Sequence, residues 1–490
     1  MSDTHPRIPE LMEGLPERER AVTLRLTRAF DDQGEALYLV GGTVRDLLLG
    51  RSTTDLDFAT SAEPSRTQLV GAAAEPSSVY TVGEDFGTVG FVFDRPDGSR
   101  SLVEITTYRS EVYPTPDRRP TVSHGVDLTS DLARRDFTIN AIAVQPTTGE
   151  LVDPFGGVAD LRERRIVAVG VADERFNEDP LRVLRAARFA AQLGFDIAPK
   201  TLDAMRRAGP QLARISRERV ANELNRLLVS PDPDRGLIAL DDADLIRHVL
   251  PEIVPMVEDD RDAAGARHKD IWEHTMRVVR QSPARLAVRW AALLHDAAKP
   301  MTRSVDARGE VHFFGHELAG ADLARRVARR LKQEKALEER TRRLVAMHLR
   351  AAGYDESWTD SAVRRLALEA GDAFDDLLDL AAADVTSARA DKQAAAAARV
   401  GGLRSHFQRL EKQFALDQLQ SPLDGDELMA MFDLPPGIWI KHVKERLRDM
   451  VIDGDLAPGD RETAERHARN WMAAPDDQLD QAIAGSVRRT

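Results

Sequence analysis

Between Leu37 and Phe58 the chain reads LYLVGGTVRDLLLGRSTTDLDF: two glycines and an arginine follow a strand-like run, and two aspartates stand one residue apart. Without Cβ atoms, Gly41 and Gly42 let backbone amides come close to a triphosphate, and Arg45 brings a forked cation to the same place. Asp55 and Asp57, at i and i+2 of the next strand, point to one face about 6.6 Å apart by strand rise. Such a pair suits Mg²⁺, a hard cation that takes oxygen ligands. Glu104, in LVEITTYR, is the third carboxylate expected from a neighbouring strand. Taken singly, each half of the pattern reads as a turn plus solvent-facing acids. In the order glycine pair, arginine, paired aspartates and strand carboxylate, the residues point to a metal-assisted phosphate site.

A second group is made of histidines. Six of the twelve fall between 268 and 348: His268, His274, His295, His312, His316 and His348. The chain has no cysteine, so disulfides, thiolate catalysis and cysteine-ligated zinc are excluded, and any metal is held by Asp, Glu and His.

The elements that must position these residues change character along the chain. ALYLVGG, DLDFAT, TVGFVFD, SLVEITTYR and TINAIAVQP are short runs rich in β-branched or aromatic residues, broken by Gly, Pro and Asp turns, and predict one sheet. From about Asp173 onward, segments such as LRVLRAARFAAQLGF and RERVANELNRLLV carry helical spacing. Weak joints are expected at 228–236, at the charged 257–270 and around AAAAARVGGLR (394–404), and the Pro-rich, charged RSEVYPTPDRRPTVS (109–123) is expected to be irregular. The chain of 490 residues, 42% hydrophobic, has room for about three or four domains. No apolar run is long enough to span a bilayer and MSDTHPRIPELMEG lacks a signal-peptide pattern, so a cytoplasmic protein with no membrane partner is expected. A net charge of -13 argues against a basic coat over the whole surface. Between Asp160 and Ser230, however, fourteen basic residues face ten acidic ones, enough for local phosphate tracking.

GGTVRDLLLG…TDLDF, DLARRDFTINAIA (131–143), DPFGGVADL (153–161) and NEDPLRVLRAARFAAQLGF (177–195) resemble, in order, the motifs of class II tRNA nucleotidyltransferases, the CCA-adding enzymes. The resemblance runs from about Ala36 to Leu228. The later helical part is similar to bacterial members with an HD domain.

The resemblance implies two Mg²⁺ ions at Asp55 and Asp57, phosphate-side contacts from Gly42 and Arg45, and a nucleotide contact from Arg135. It implies a flexible loop within 109–123 that helps switch selection from C to A. Its most specific implication concerns EDPLR, where Asp179 and Arg182 stand at i and i+3. By default that spacing is an ion pair on one helix face. As a base reader, a carboxylate only accepts and a guanidinium only donates. Cytosine and adenine each offer an exocyclic amine beside a ring-nitrogen acceptor and satisfy both groups; uracil and guanine present the opposite polarity. Arg185 and Arg188 continue the series toward ribose and phosphates.

DIWEHT, LLHDAAKP, FGHE, AMHLR and AAADVTSA are similar to an HD-superfamily metal site. There His274, His295, Asp296 and Asp384 match the ligands of a first divalent transition metal (Mn²⁺, Ni²⁺ or Fe²⁺), and His316 and His348 match a second metal or phosphate site. Lys299 would neutralise a bound phosphate. One departure is Ala298, where the motif usually has glycine.

The expected architecture is an α/β nucleotidyltransferase head with a mixed sheet, followed by an all-α neck, HD body and tail. Its divisions are an N-terminal helical leader (1–30), the head (31–172), a neck that reads the nucleobase and binds RNA (173–257), the HD domain (258–400) and a helical tail (401–490) contacting tRNA. The implied reaction is template-independent addition of C, C and A to the tRNA 3′ end from CTP and ATP, with the acceptor and elbow of tRNA as partner. The alternatives are a bacterial poly(A) polymerase, a partial CC- or A-adding enzyme and, from another class, an HD phosphohydrolase with an RNA-binding head.

Overall fold

The computed structural model describes residues 8–82, 87–94, 98–112, 121–124, 126–258, 271–385, 390–412 and 419–487. It divides into two units, Met1–Val257 with Arg330–Gln333, and Glu258–Arg329 with Glu334–Thr490.

The first unit begins with α1 (Ile8–Glu13) and α2 (Glu17–Asp31), then a seven-stranded sheet. Its strands are β1 (Leu37–Val40), β2 (Leu56–Thr60), β3 (Ser78–Val82), β4 (Thr88–Asp94), β5 (Arg100–Thr107), β8 (Ala143–Val144) and β9 (Leu151–Val152). They lie in the order β3-β4-β5-β2-β1-β8-β9. Only β2 and β5 run parallel, so the sheet is mixed as expected. The leader helices belong to this body: Val22, Leu26 and Phe30 of α2 are buried and Glu19 accepts from Ser101 at 2.7 Å, so a border at residue 30 cuts through a packed helix. The stretch expected to be irregular pairs at both ends, β6 (Arg109–Val112) against β7 (Thr121–His124), with 113–120 outside the described residues.

Four short helices, α3 (Gly41–Leu48), α4 (Pro64–Gly71), α5 (Leu128–Ala133) and α6 (Gly157–Arg162), complete the head. DPFGG serves as a buttress. Asp153 accepts from the amides of Gly157 (2.7 Å) and Val158 (2.9 Å), and Asp160 accepts from Thr138 at 2.7 Å. A Cβ on Gly157 would meet the Thr138 carbonyl at 2.1 Å, so glycine lets α6 sit against the RRDFTINA segment.

The neck follows as α7 (Ala172–Glu178), α8 (Leu181–Leu193), α9 (Pro199–Ala208), α10 (Arg217–Leu228) and α11 (Pro233–Asp242), with α8 packed on α10 and α11. Eleven of the thirteen residues of α8 are buried, and it stops at Gly194 in the left-handed region that glycine tolerates.

Among the described residues, the regular structure of the second unit is helical apart from a small hairpin, Ser304–Val305 with Val311–His312. Helices Ile271–Gln281, Leu286–Leu294, Lys335–Ala352 and Phe374–Ala383 pack together around the histidines. A Pro-Gly segment, 435–437, lies between the helices Gly425–Phe432 and Ile438–Asp453, and Trp439, Val443 and Leu447 of the latter share a core with Ala464, Ala468 and Leu479. AAAAARVGGLR, expected as a joint, lies inside the helix Ala390–Glu411, and the border drawn at 400 falls within it. Alanine is the strongest helix former, and its run carries the helix through Gly401 and Gly402. In the charged stretch 257–270, residues 259–270, including His268, lie outside the described residues.

Candidate active site and metal centre

In the head, Gly41 is the first residue of α3 and holds φ +68°. The positive φ favours glycine there, and a Cβ would stand 2.9 Å from Nη1 of Arg135, whose flexible end would have to move aside. Thr43, buried two residues on, donates to the Asp55 carbonyl (2.9 Å) and accepts from the Asp57 amide (3.2 Å). The glycine turn and the aspartate pair are therefore tied through one hydroxyl. Asp55 lies just before β2 rather than within it, and Asp57 is the second residue of β2, paired in register with Glu104 of β5. Parallel partners share a face, so these two carboxylates are neighbours.

A cavity of about 430 Å³ opens beside Asp57. Of the residues expected from sequence, Gly42, Arg45, Asp57, Arg135, Asp179, Arg182 and Arg185 line it. Asp57 reaches solvent at this wall, yet the surrounding protein pushes its carboxyl up to about 6. Desolvation is the main cause; Arg135 and Arg45 pull the other way, and Glu104 and Asp55 add repulsion.

The arginines are held by a network only partly expected. Arg45 forks onto Asp46 (2.9 and 2.9 Å) and donates to Asn140 (2.9 Å); Asn140 donates to Asp136 (3.0 Å), which accepts from Arg185 Nε (2.7 Å). Burial alone would raise Asp136, but the Arg185 guanidinium overrides it and holds the carboxyl below the usual range. Arg135 binds the fully buried Asp131 (3.1 Å) while its Nε, also buried, has no partner. The ring of Phe189 carries the guanidinium of Arg188 at 4.1 Å, with those of Arg45 and Arg185 at 5.2 and 5.5 Å.

Asp179 and Arg182 do not form the ion pair that their spacing suggests. Asp179 lies between α7 and α8 with extended backbone (φ -136°, ψ 99°), accepting from Leu181 N (3.1 Å) and Arg219 (2.9 Å). Arg182 donates to Glu178 (2.8 Å) and to the carbonyls of Arg175 (3.1 Å) and Arg134 (2.7 Å). The two side chains are thus oriented separately on one cavity wall. Arg188 is absent from that wall: it is buried against Glu223 (2.6 Å) and Gln192 (2.8 Å).

Sequence reasoning passed over Thr43, Asp136, Asn140 and Arg219. Asp136 and Asn140 stand inside DLARRDFTINAIA and could have been found there, whereas Arg219 is an ordinary arginine of α10 until the fold brings it across.

In the second unit, two sets of three possible ligands meet, His274–His295–Asp384 and Asp296–His316–His348, with the ligand atoms of each set within 4.8 Å of one another. Asp296 links the sets. Its Oδ2 lies 3.3 and 3.6 Å from Nε2 of His295 and His274, and its Oδ1 lies 3.4 Å from Nε2 of His316. His295, His316 and His348 donate Nδ1–H to the carbonyls of Ala292, Phe313 and Val345 at 2.7 to 2.8 Å. That leaves each Nε2 as the nitrogen facing inward, able to ligate a metal in place of a proton. Nε2 of His316 and of His348 are buried without a hydrogen-bond partner, and Nε2 of His274 and His295 face each other at 3.3 Å. Such a donor set fits divalent cations. In the ion-free site burial works against a charged His295, but Asp296 and Asp384 lift it to about 9; His348 is pushed down to about 4 by burial and by His295.

Lys299 pairs with Asp296 at 2.6 Å. Ala298 has φ -93°, open to any residue, and its methyl is fully buried, so the missing glycine imposes no backbone strain. His312 stands apart in an exposed hairpin, bonded to Asp306 and stacked on Phe314.

Residues 37–167 match the family described as "Poly A polymerase head domain", 194–256 "Probable RNA and SrmB- binding site of polymerase A", and 269–389 "HD domain". The A-adding tRNA nucleotidyltransferase of Deinococcus radiodurans is 32% identical over 455 residues, covering 88% of this chain and 95% of its own length. The chain belongs to the tRNA nucleotidyltransferase family. Within the tRNA nucleotidyltransferases, the CCA-adding enzymes of Leuconostoc citreum and Lactococcus lactis subsp. cremoris are 44% and 43% identical over 45% and 47% of this chain. The chain spans about half the length of these curated relatives, 52% and 55%. The CCA-adding enzyme of Bacillus stearothermophilus in complex with CTP superposes with a TM-score of 0.68 at 25% identity, covering 96% of this chain and all of that one. The Thermotoga maritima CCA-adding enzyme complexed with tRNA shares the fold at 20% identity and a TM-score of 0.59. Among the described residues, no helix is long and apolar enough to cross a membrane.

Proposed function

We propose that this tRNA nucleotidyltransferase adds C, C and A to tRNA 3′ ends from CTP and ATP, acting in the cytoplasm on the acceptor and elbow of tRNA. The observation that carries the reading is the single cavity with a metal-suited carboxylate, Asp57, on one side and the separately oriented Asp179 and Arg182 on another. Asp55, Asp57 and Glu104 would hold Mg²⁺, which supplies activation of the 3′-hydroxyl and charge neutralisation at the triphosphate. The amides of Gly41 and Gly42 face the phosphates, with Arg135 and Arg185 as fixed cations on the wall. Asp179 accepts from the exocyclic amine of C or A. Arg182, whose Nε has no partner among the described residues, donates to the ring nitrogen.

The test uses tRNA transcripts ending at the discriminator base, at C and at CC, each given CTP or ATP alone. CTP addition to the first two and ATP addition to the third support full CCA synthesis. Activity only on the transcript ending in CC makes the protein an A-adding enzyme like its Deinococcus relative, and long A tracts make it a poly(A) polymerase.

A second activity is favoured by the linked histidine sets: metal-dependent phosphohydrolysis in the HD domain, with a transition-metal ion such as Mn²⁺, Ni²⁺ or Fe²⁺ held by His274, His295, Asp296 and Asp384 and a second by His316 and His348 with Asp296 shared.

A further inference from the structure

Arg219 is the third residue of α10, whose first turn is fixed by Ser216, the hydroxyl of which accepts from the Arg219 amide at 3.4 Å. Its guanidinium crosses to the junction between α7 and α8, lines the cavity and donates Nη2–H to Oδ2 of Asp179 at 2.9 Å. Both side chains keep part of their surface in solvent, 45% and 27%, and an ion pair so placed contributes little to stability. Its effect is on geometry. Oδ1 of Asp179 accepts the Leu181 amide, and with that tether alone the carboxylate pivots about its Cβ–Cγ bond. The second tether, on the other oxygen, fixes the carboxylate plane. Each oxygen has two acceptor directions. One remains on each, now aimed in a set direction at the cavity that Asp179 lines.

We propose that Arg219 is a positioning residue for base selection, setting the orientation in which Asp179 meets the exocyclic amine of the incoming nucleotide. The inference rests on Asp179 as a base reader. A pivoting carboxylate finds donors on more than one base edge, so its loss of orientation costs selectivity before it costs nucleotide binding.

The experiment measures kcat/KM for CTP, ATP, UTP and GTP on the matching truncated tRNAs for wild type, Arg219→Ala, Arg219→Met, Arg219→Lys and Asp179→Ala, with thermal melting of each. Arg219→Ala and Arg219→Met are expected to lower discrimination against UTP and GTP by at least about fivefold, the low end of what one mispaired buried group is worth. Arg219→Lys, which still places a donor near Oδ2, recovers part of it. Unchanged selectivity in both neutral variants, or an equal loss for all four nucleotides, overturns the inference. Asp179→Ala separates the two levels: if it keeps full selectivity the base-reading proposal itself fails, and if it alone loses selectivity only the role of Arg219 falls.

Discussion

The hydroxyl of Thr43 accepts the backbone N–H of Asp57 at 3.2 Å while donating to the carbonyl of Asp55 at 2.9 Å. The loop that is to face phosphates and the carboxylates that are to hold metal are thereby fixed by one atom. Thr43→Val keeps the side-chain shape and removes the link. Displacements of about 1 Å at reacting groups cost on the order of 100-fold, so kcat should fall about 10- to 100-fold while tRNA affinity holds and Thr43→Ser restores the rate. Wild-type kcat in Thr43→Val contradicts the tether.

Asp57 gives a pH-dependent metal response. Its folded carboxyl titrates at about 6 against 3.8 for the free side chain. A raised value means that the ion-free head is favoured by the protonated form: this contribution is complete below 3.8 and is lost as pH rises through about 6. Mg²⁺ offsets that loss by replacing the proton. The rise in melting temperature on adding Mg²⁺ should be small near pH 5 and grow toward about pH 7.5, and Asp57→Asn should flatten it. An equal Mg²⁺ effect at both pH values argues against Asp57 as a ligand.

Arg188 tests the correction made by the fold. Its substitution by Ala leaves Glu223 buried without its cation, at a cost of about 3–5 kcal/mol. The melting temperature should drop while the KM for CTP in the surviving folded enzyme is unchanged. A normal melting temperature with weakened CTP binding would restore the nucleotide contact that the helical spacing of Arg182, Arg185 and Arg188 suggests.

The histidine sets predict separable loss. In the double variant His295→Ala with Asp296→Ala, bound transition metal measured by elemental analysis should fall to background, and any phosphohydrolase activity with it. CCA addition should continue, because the head carboxylates lie in the other unit. Retained metal, or a folded variant unable to add nucleotides, contradicts this division.

The parts of the arrangement legible in the sequence are those that are local: the glycine pair, Asp57 on a strand, and His295 beside Asp296, whereas Asp55, expected on the same strand as Asp57, stands just before β2 and outside the cavity lining. The mixed sheet followed by helices was likewise readable from hydrophobic texture. What the sequence concealed is partner choice. Helical spacing pairs Asp179 with Arg182, yet the residue before a proline is pushed out of the helical region, and Pro180 separates Asp179 from α8. That signal was present in EDPLR. The fork of Arg182 then reaches back to Glu178, and Asp179 is met by Arg219, forty residues away, which no local pattern foretells. Likewise Arg188 continues a helical series but faces α10 instead of the cavity, since only the packing of α8 decides which arginines of the series are enclosed.

The central claim is that Asp179 and Arg182 read the base, and the most direct measurement is the incorporation of all four nucleotides by Asp179→Ala and Arg182→Ala on tRNA ending before the first C. The account predicts that both variants lose discrimination against UTP and GTP by a larger factor than they lose CTP affinity, because a carboxylate that only accepts and a guanidinium that only donates define the polarity being read. If both variants remain active and reject UTP and GTP as strongly as the wild type, the bases are selected elsewhere and the account is wrong.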